Sequence, residues 1–420
     1  MNEQKNDKAF KKITSYFLYL YLFFNISCFF YFSLDGYLGG DFKNKNIETN
    51  TFLLFISLLI VIFTFLFYLK LIYKISEKIT TPHLTFTRNN TLAFITSVIL
   101  FFGIYAALFF KVGVLGLEEI EKSPKVIRWI YVITQPLYFG LIYLYYISNF
   151  KSTYFKVNLI LYLTLVLLCG QTIQLLLVFI LYIYYRYSYK NNSNHIILIT
   201  IMGILIYPIF RVIKDTIILS FITDSNFFHN IEKIISLNLL DIYIHYLFIT
   251  LERFQIISNI QFLISNQDNI YNGYENISNG LFGFFSNYWL QISILKLFML
   301  IDQSYTYTSP QSYLAYLINN KTNWASHIGQ AGYFIFYGIN GIYIWLYSIL
   351  LSLFSFILSK IITNKNNITL LTWILILQFI CHGWIFAFTY FLQTLILFSI
   401  LLFILGKLKI DNKNIERNYI

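Results

Sequence analysis

The sequence predicts an all-α polytopic integral membrane protein, and three observations carry that prediction. Of 420 residues, 58% are hydrophobic and only 12% are charged, a balance no water-soluble domain sustains. Apolar runs long enough to cross a bilayer recur along the chain. Between them, Lys and Arg collect on alternate connections, as the positive-inside rule requires of a chain that weaves through a membrane.

The first element follows a polar, basic start, MNEQKNDKAFKK. Its apolar run of about 22 residues is too long for a signal-peptide core and lacks an A-x-A cleavage site, so it is expected to remain as the first span. Further spans are expected near 51–73, 91–110 and 129–148. The run VNLILYLTLVLLCGQTIQLLLVFILYIYY, 157–185, is harder to place. It exceeds the ~20 residues of one crossing and falls short of two ordinary ones, and LCGQTIQ (168–174) interrupts it with Gly170, Gln171, Thr172 and Gln174. As one long tilted helix with a Gly kink, it would leave RYSYKNNSNH (186–195) outside and invert every later loop. As two short helices with a turn at LCGQTIQ, it keeps that segment inside.

Charge counting favours the turn. With it, the inside segments (1–12, 70–90, 149–156, 186–194, 360–366, 406–420) hold 18 Lys and Arg against 5 Asp and Glu. The outside segments (35–50, 111–128, 211–330) hold 12 against 14, so no charged residue is left deep in the hydrocarbon. With later spans at 195–210, 331–359, 368–381 and 385–406, about ten transmembrane helices are expected, two of them short, with N and C termini cytoplasmic. The chain then divides into an N-terminal bundle of seven crossings (1–210), one large external loop (211–330), and C-terminal helices with a cytoplasmic tail (331–420). The net charge of +11 follows this topology, and no nucleic-acid partner is expected.

The loop carries its own helical signal. In LLDIYIHYLFITLERFQIISNIQF, residues Asp241, His245, Glu252, Gln255 and Asn259 fall near one line at 100° per residue, which predicts an amphipathic helix lying in the outer interface. The apolar stretch 286–300 predicts a second interfacial or re-entrant helix. Three cysteines in apolar runs, with no paired spacing, predict neither disulfides nor zinc.

Chemistry is expected at the outer face. Arg211 follows Pro208 in YPIFRVIKDT, with Lys214 and Asp215 a turn further on; a guanidinium there suits a lipid pyrophosphate, or snorkels to lipid head groups. Arg253, beside Glu252, offers a second such cation. His327 opens HIGQAGYFIFYGINGI, where a neutral imidazole suits proton transfer from a hydroxyl, or simply fills an amphipathic boundary.

The spacing from His327 to Gly338 and Gly341, entering a span after a long external loop, resembles the H-[NSQ]-x9-G-x2-[GTY] motif of bacterial O-antigen ligases and their polymerase (Wzy-type) relatives. Ile328 departs from it. LCGQTIQ likewise resembles that superfamily's G-S-R turn, with Gln171 and Thr172 where Ser and Arg stand. The likeness in plan covers essentially the whole chain. It implies an O-antigen or related polysaccharide polymerase of a Gram-negative inner membrane, working at the periplasmic face. Such an enzyme transfers a glycan from undecaprenyl diphosphate to the non-reducing end of a lipid-linked repeat unit.

In that scheme Arg211 and Arg253 neutralise the departing pyrophosphate, and His327 positions or deprotonates the acceptor hydroxyl, with Asp215 or Glu252 as substitute base. Gln171, Thr172, Lys214, His245, Gly338 and Gly341 line the substrate site. Expected partners are the lipid-linked oligosaccharide, the bilayer, a chain-length regulator and a flippase. No cofactor or metal is expected: there is no DxD motif and no Asp or His cluster at coordination spacing. Rival readings are an O-antigen ligase, a lipid-linked oligosaccharide flippase, a structural subunit, and a membrane acyltransferase using His382.

Overall fold

A computed structural model describes residues 3–43, 45–79, 89–114, 123–190, 194–223, 227–235, 239–252, 254–286, 307–320, 324–363 and 366–405. Among them all regular structure is helical; no strand occurs, and one isolated bridge pairs Tyr37 with Glu48. In chain order the helices are α1 (Glu3–Asp35), α2 (Thr51–Phe63), α3 (Leu69–Glu77), α4 (Asn89–Phe110), α5 (Lys125–Thr134), α6 (Pro136–Ile147), α7 (Thr153–Cys169), α8 (Ile173–Lys190) and α9 (Asn194–Thr223). After these come α10 (Phe227–Ile235), α11 (Leu239–Glu252), α12 (Ile257–Ser265), α13 (Gln267–Ser278) and α14 (Gly280–Ser286). The last five are α15 (Pro310–Asn319), α16 (Gly329–Tyr337), α17 (Gly341–Ile362), α18 (Asn366–Leu375) and α19 (Ile385–Leu405).

Six helical stretches are long and apolar enough to cross a membrane: Asn6–Asp35, Thr51–Glu77, Asn89–Phe110, Lys125–Ile147, Gly329–Ile362 and Ile385–Leu405. The bent pair Leu240–Glu252 and Ile257–Ser265 makes a seventh if taken as one span. Of the ten runs read as crossings, six coincide with these stretches. The other four are α7, α8, α9 and the short helix Asn366–Ile380, whose last five residues are π-helical.

Local chemistry sets the breaks. Pro136 has no N–H to continue α5, so Gln135 turns left-handed (φ 42°) and α6 begins on the proline. On α17, Ser348, Ser352, Ser355 and Ser359 are fully buried in one stripe. Their small side chains permit close helix approach. Tyr68 bonds to Ser348 and Ser352 at 3.0 and 3.1 Å, and Ser359 bonds to Thr372 at 2.6 Å.

The ambiguous run 157–185 is a hairpin. Gly170 caps α7 with φ +68°, a conformation that excludes a continuous kinked helix. The chain then returns: Phe150, just before α7, packs its ring 4.8 Å from Tyr185 near the end of α8. Contacts between connecting segments sort into two ends. At one end Lys12 lies over the Tyr187 ring, Asn366 bonds to Asp7, Lys360 to the Ser76 carbonyl, and Asn367 to Ser148. At the other, Lys111 bonds to the Phe221 carbonyl, Ser326 to Asp41, and the turn 381–384 packs on Ile328 and Gly329.

Two expected boundaries are corrected. The span expected to end at 210 runs unbroken through Pro208 to Thr223. Apolar Val212, Ile213, Ile217 and Ile218, all half-buried, hold this stretch against its neighbours, so Arg211, Lys214 and Asp215 sit on a helix and not at the start of a loop. The single amphipathic helix over 239–262 is instead two helices bent by 65°. The cause is Asn25 on α1, which donates Nδ2 to the Phe254 carbonyl (3.1 Å) and accepts the Ile256 N–H at Oδ1 (3.0 Å). A buried amide thus replaces the intrahelical partners lost at the bend. Gln255 and Asn259 are consequently buried, away from any polar stripe shared with exposed Asp241 and His245. Residues 287–300, covering nearly all of the second interfacial stretch, lie outside the described residues.

Candidate functional site

Two clusters of polar side chains lie at the end of the bundle that carries Asp41 and Lys111. The first is built on α9, α11 and the turn after α7. Thr172 shares a 2.7 Å hydrogen bond with the Tyr207 hydroxyl on α9. Any side chain at Gly170 would come within 3.2 Å of Lys214 Cε and Ile218 Cδ1, so the turn rests directly on the Lys214 stem. One turn away on α9, the Arg211 guanidinium stands 5.8 Å from the centre of the Tyr246 ring. Tyr246 in turn donates its hydroxyl to Asp215 Oδ2 at 2.7 Å, tying α11 to α9. The structure therefore brings Gly170, Thr172, Lys214, Arg211 and Asp215 together, with Gln171 half-buried in the same turn. His245 flanks the Tyr246 ring at 5.7 Å but is exposed, and Glu252 closes α11 within electrostatic range of Cys28. Arg253 lies outside the described residues.

The second cluster surrounds His327. Asn259 Nδ2 lies 2.8 Å from Ser326 Oγ, 2.8 Å from the His327 carbonyl and 3.3 Å from Asp41 Oδ2. Ser326 donates to the same Asp41 oxygen at 2.6 Å. Trp384 donates its indole N–H to His327 Nδ1 at 2.7 Å. An indole nitrogen only donates, so His327 Nδ1 is an acceptor and the neutral ring carries its proton on Nε2. Behind it, His382 stands 5.3 Å from the His327 ring and gives its Nδ1–H to the Leu377 carbonyl at 2.8 Å. That carbonyl belongs to the π-helical turn Ile376–Ile380, and Phe65 of a second π-helical turn, Thr64–Tyr68, packs 5.5 Å from the His382 ring.

Tyr21 lies between the two clusters, in ring contact with His382 at 5.4 Å and within electrostatic range of Tyr207, the partner of Thr172.

Compared with protein-family models, curated proteins and solved structures, the chain matches none of them. Resemblance to the ligase and polymerase superfamily accordingly rests on the residues alone.

Gly338 and Gly341 are not part of either cluster. Helix α16, nine residues long, separates His327 from Gly338 by about 14 Å of helix axis. Gly338 adopts φ +55° and ψ −138°, a region open essentially to glycine, and a side chain at Gly341 would meet the Tyr333 carbonyl at 2.7 Å. Both glycines serve the backbone turn into α17. Near that turn the hydroxyls of Tyr274, Tyr307 and Tyr337 bond mutually at 2.7–3.1 Å. Burial raises the Tyr307 phenol well above its ordinary pKa, followed by its tyrosine neighbours, so this knot stays protonated and structural.

Sequence reasoning missed Asn25, Asp41, Asn259 as an organiser of the site, Ser326 and Trp384. Asp41 had a visible signal, since a carboxylate next to Gly39 and Gly40 on a short connection marks a shaped turn. Trp384, 57 residues from His327, had none. Among the described residues no group of three His, Cys, Asp or Glu side chains is arranged to hold a metal ion.

Proposed function

We propose that this protein is a polysaccharide repeat-unit polymerase of O-antigen type. It transfers a glycan from undecaprenyl diphosphate to the non-reducing end of a lipid-linked repeat unit at the periplasmic face of an inner membrane. The observation that carries the reading is the presence of two unlike clusters at one end of the bundle, with Tyr21 between them. One is cationic, with Arg211 and Lys214 on α9 beside the turn at Gly170 and Thr172. The other is a hydrogen-bonded His327 with Asp41 close by. A glycosyl diphosphate donor needs charge neutralised at its leaving group and an acceptor hydroxyl held at its anomeric carbon. The superfamily-like spacing around His327 adds independent support.

In this account ten crossings leave both termini in the cytoplasm, with the outer end of α9 and the segment from there to residue 330 outside. Arg211 and Lys214, with Arg253 as a further cation, hold the pyrophosphate. Gln171 and Thr172 face the sugars, and His327 holds the acceptor hydroxyl. Donor energy resides in the glycosyl diphosphate bond, so nucleotide sugar and metal are dispensable.

Purified protein, supplied with lipid-linked repeat units extracted from a host lacking this gene, is expected to make a ladder of glycans without nucleotide sugar and in the presence of EDTA. No ladder from correctly folded protein contradicts the proposal.

A further inference from the structure

The polymerase reading leaves open which group takes the proton from the acceptor hydroxyl. A general base needs a lone pair directed at that proton. In His327 the Nδ1 lone pair is taken by the Trp384 indole N–H, and Nε2 of the neutral ring already carries hydrogen. So long as that bond stands, the imidazole is no base for a substrate hydroxyl. Of the two carboxylates considered from the sequence, Asp215 is engaged with Tyr246 between α9 and α11.

Asp41 is differently placed. Its Oδ2 receives both Ser326 Oγ (2.6 Å) and Asn259 Nδ2 (3.3 Å), and the same Asn259 amide holds the His327 carbonyl at 2.8 Å. Carboxylate and imidazole thus share one frame. The Asp41 backbone is fixed on both sides. Gly40 turns with φ +67° against the Gln255 amide, and Phe42 is fully buried with its ring 4.8 Å from Phe262. Asp41 itself is only half-buried, so this well-anchored carboxylate remains open to a substrate.

We infer that Asp41, and not His327, is the catalytic base, an inference that rests on the polymerase reading. The acceptor hydroxyl gives its proton to the Asp41 carboxylate as its oxygen forms the new bond to the anomeric carbon. The bond from that carbon to the pyrophosphate oxygen breaks, and its electron pair leaves with undecaprenyl diphosphate, whose charge Arg211 and Lys214 balance. Orientation of the base comes from Ser326 and Asn259, which are positioning residues.

The test is Asp41→Asn in the full-length protein, assayed with lipid-linked repeat units from the gene-deleted host. The isosteric amide keeps an oxygen for Ser326 but has no basic lone pair of comparable strength. Expected is a fall in kcat of about 100-fold or more, with KM and thermal stability in detergent near wild type. Formate added to Asp41→Ala, where it can occupy the vacated space, is expected to raise the rate about tenfold. An Asp41→Asn kcat within about threefold of wild type, or a loss confined to KM, overturns the inference. So does an Asp41→Ala rate that formate leaves unchanged. Failure of the polymerase reading looks different: wild-type protein then makes no polymer from this substrate.

Discussion

Trp384 Nε1 and His327 Nδ1 lie 2.7 Å apart, with the indole as donor. The pair joins the last connection of the chain, 381–384, to the segment entering α16, and Gly383 makes it possible: any side chain there would press within 2.6 Å of the Gly329 carbonyl. Trp384→Phe keeps an aromatic ring but removes the donor, releasing His327 to exchange tautomers. A lost hydrogen bond of about 1.4 kcal/mol corresponds to roughly tenfold in rate. Polymer formation by Trp384→Phe is expected to fall by about that factor, and nitrogen NMR of labelled histidine should report a mixed tautomer. A single Nε2–H tautomer in the variant would show that Trp384 does not set it.

Arg211→Ala and Lys214→Ala each remove a cation from α9, Lys214 against the turn at Gly170 and Arg211 over the Tyr246 ring. Preorganised charge at a leaving group is worth about 100-fold or more per group. Each variant is expected to abolish visible polymer at unchanged protein level, with Arg211→Lys recovering part of it. Near-normal ladders from both would remove the pyrophosphate clamp.

Hairpin geometry predicts accessibility. With Cys28, Cys169 and Cys381 replaced by Ala, the Ser188→Cys variant should resist impermeant thiol reagents applied from outside, because the contact of Lys12 with Tyr187 places the neighbouring residue at the N-terminal end of the bundle. Labelling of this variant from outside would invert the orientation.

Asn25→Leu tests the bend between α11 and α12. The change strips partners from the Phe254 carbonyl and the Ile256 N–H, at a cost of about 1–3 kcal/mol. A lower melting temperature in detergent is expected, together with weaker activity, because Asn259 on α12 loses its register. An unchanged melting temperature would mean that the bend is held elsewhere.

Gly338→Ala forces a side chain into φ +55°, ψ −138°, a strain of about 1–3 kcal/mol. Less folded protein is expected, with kcat per folded molecule preserved. A selective rise in KM would instead return Gly338 to the substrate site.

What could be read from sequence were the features written in short range. Membrane-length apolar runs gave the helices, and the polar break at Gly170 with the charge count gave the hairpin that Phe150 and Tyr185 close. Arg211, Lys214 and Asp215 lie within about one turn of each other in the sequence, but the helix that carries them was read as ending at 210, so only their nearness along the chain was legible. The rest depends on pairs far apart in the chain. Asn25 bends a helix 229 residues away, and Asp41 meets Ser326 across 285 residues. Periodicity therefore drew one helix through 239–262, since nothing local to that segment shows the amide that breaks it. The true end of α9 was hidden for the opposite reason, because Arg211, Lys214 and Asp215 look like the edge of a span and are carried within the helix to Thr223.

The central claim, that the two clusters together polymerise lipid-linked repeat units, is tested most directly by a lipopolysaccharide gel. The native host is deleted for this gene, then complemented with wild type and with Arg211→Ala. The account predicts core bearing a single repeat unit in the deletion, a full ladder restored by wild type, and no ladder with Arg211→Ala. Loss of every repeat unit in the deletion would contradict it and point to a ligase or flippase.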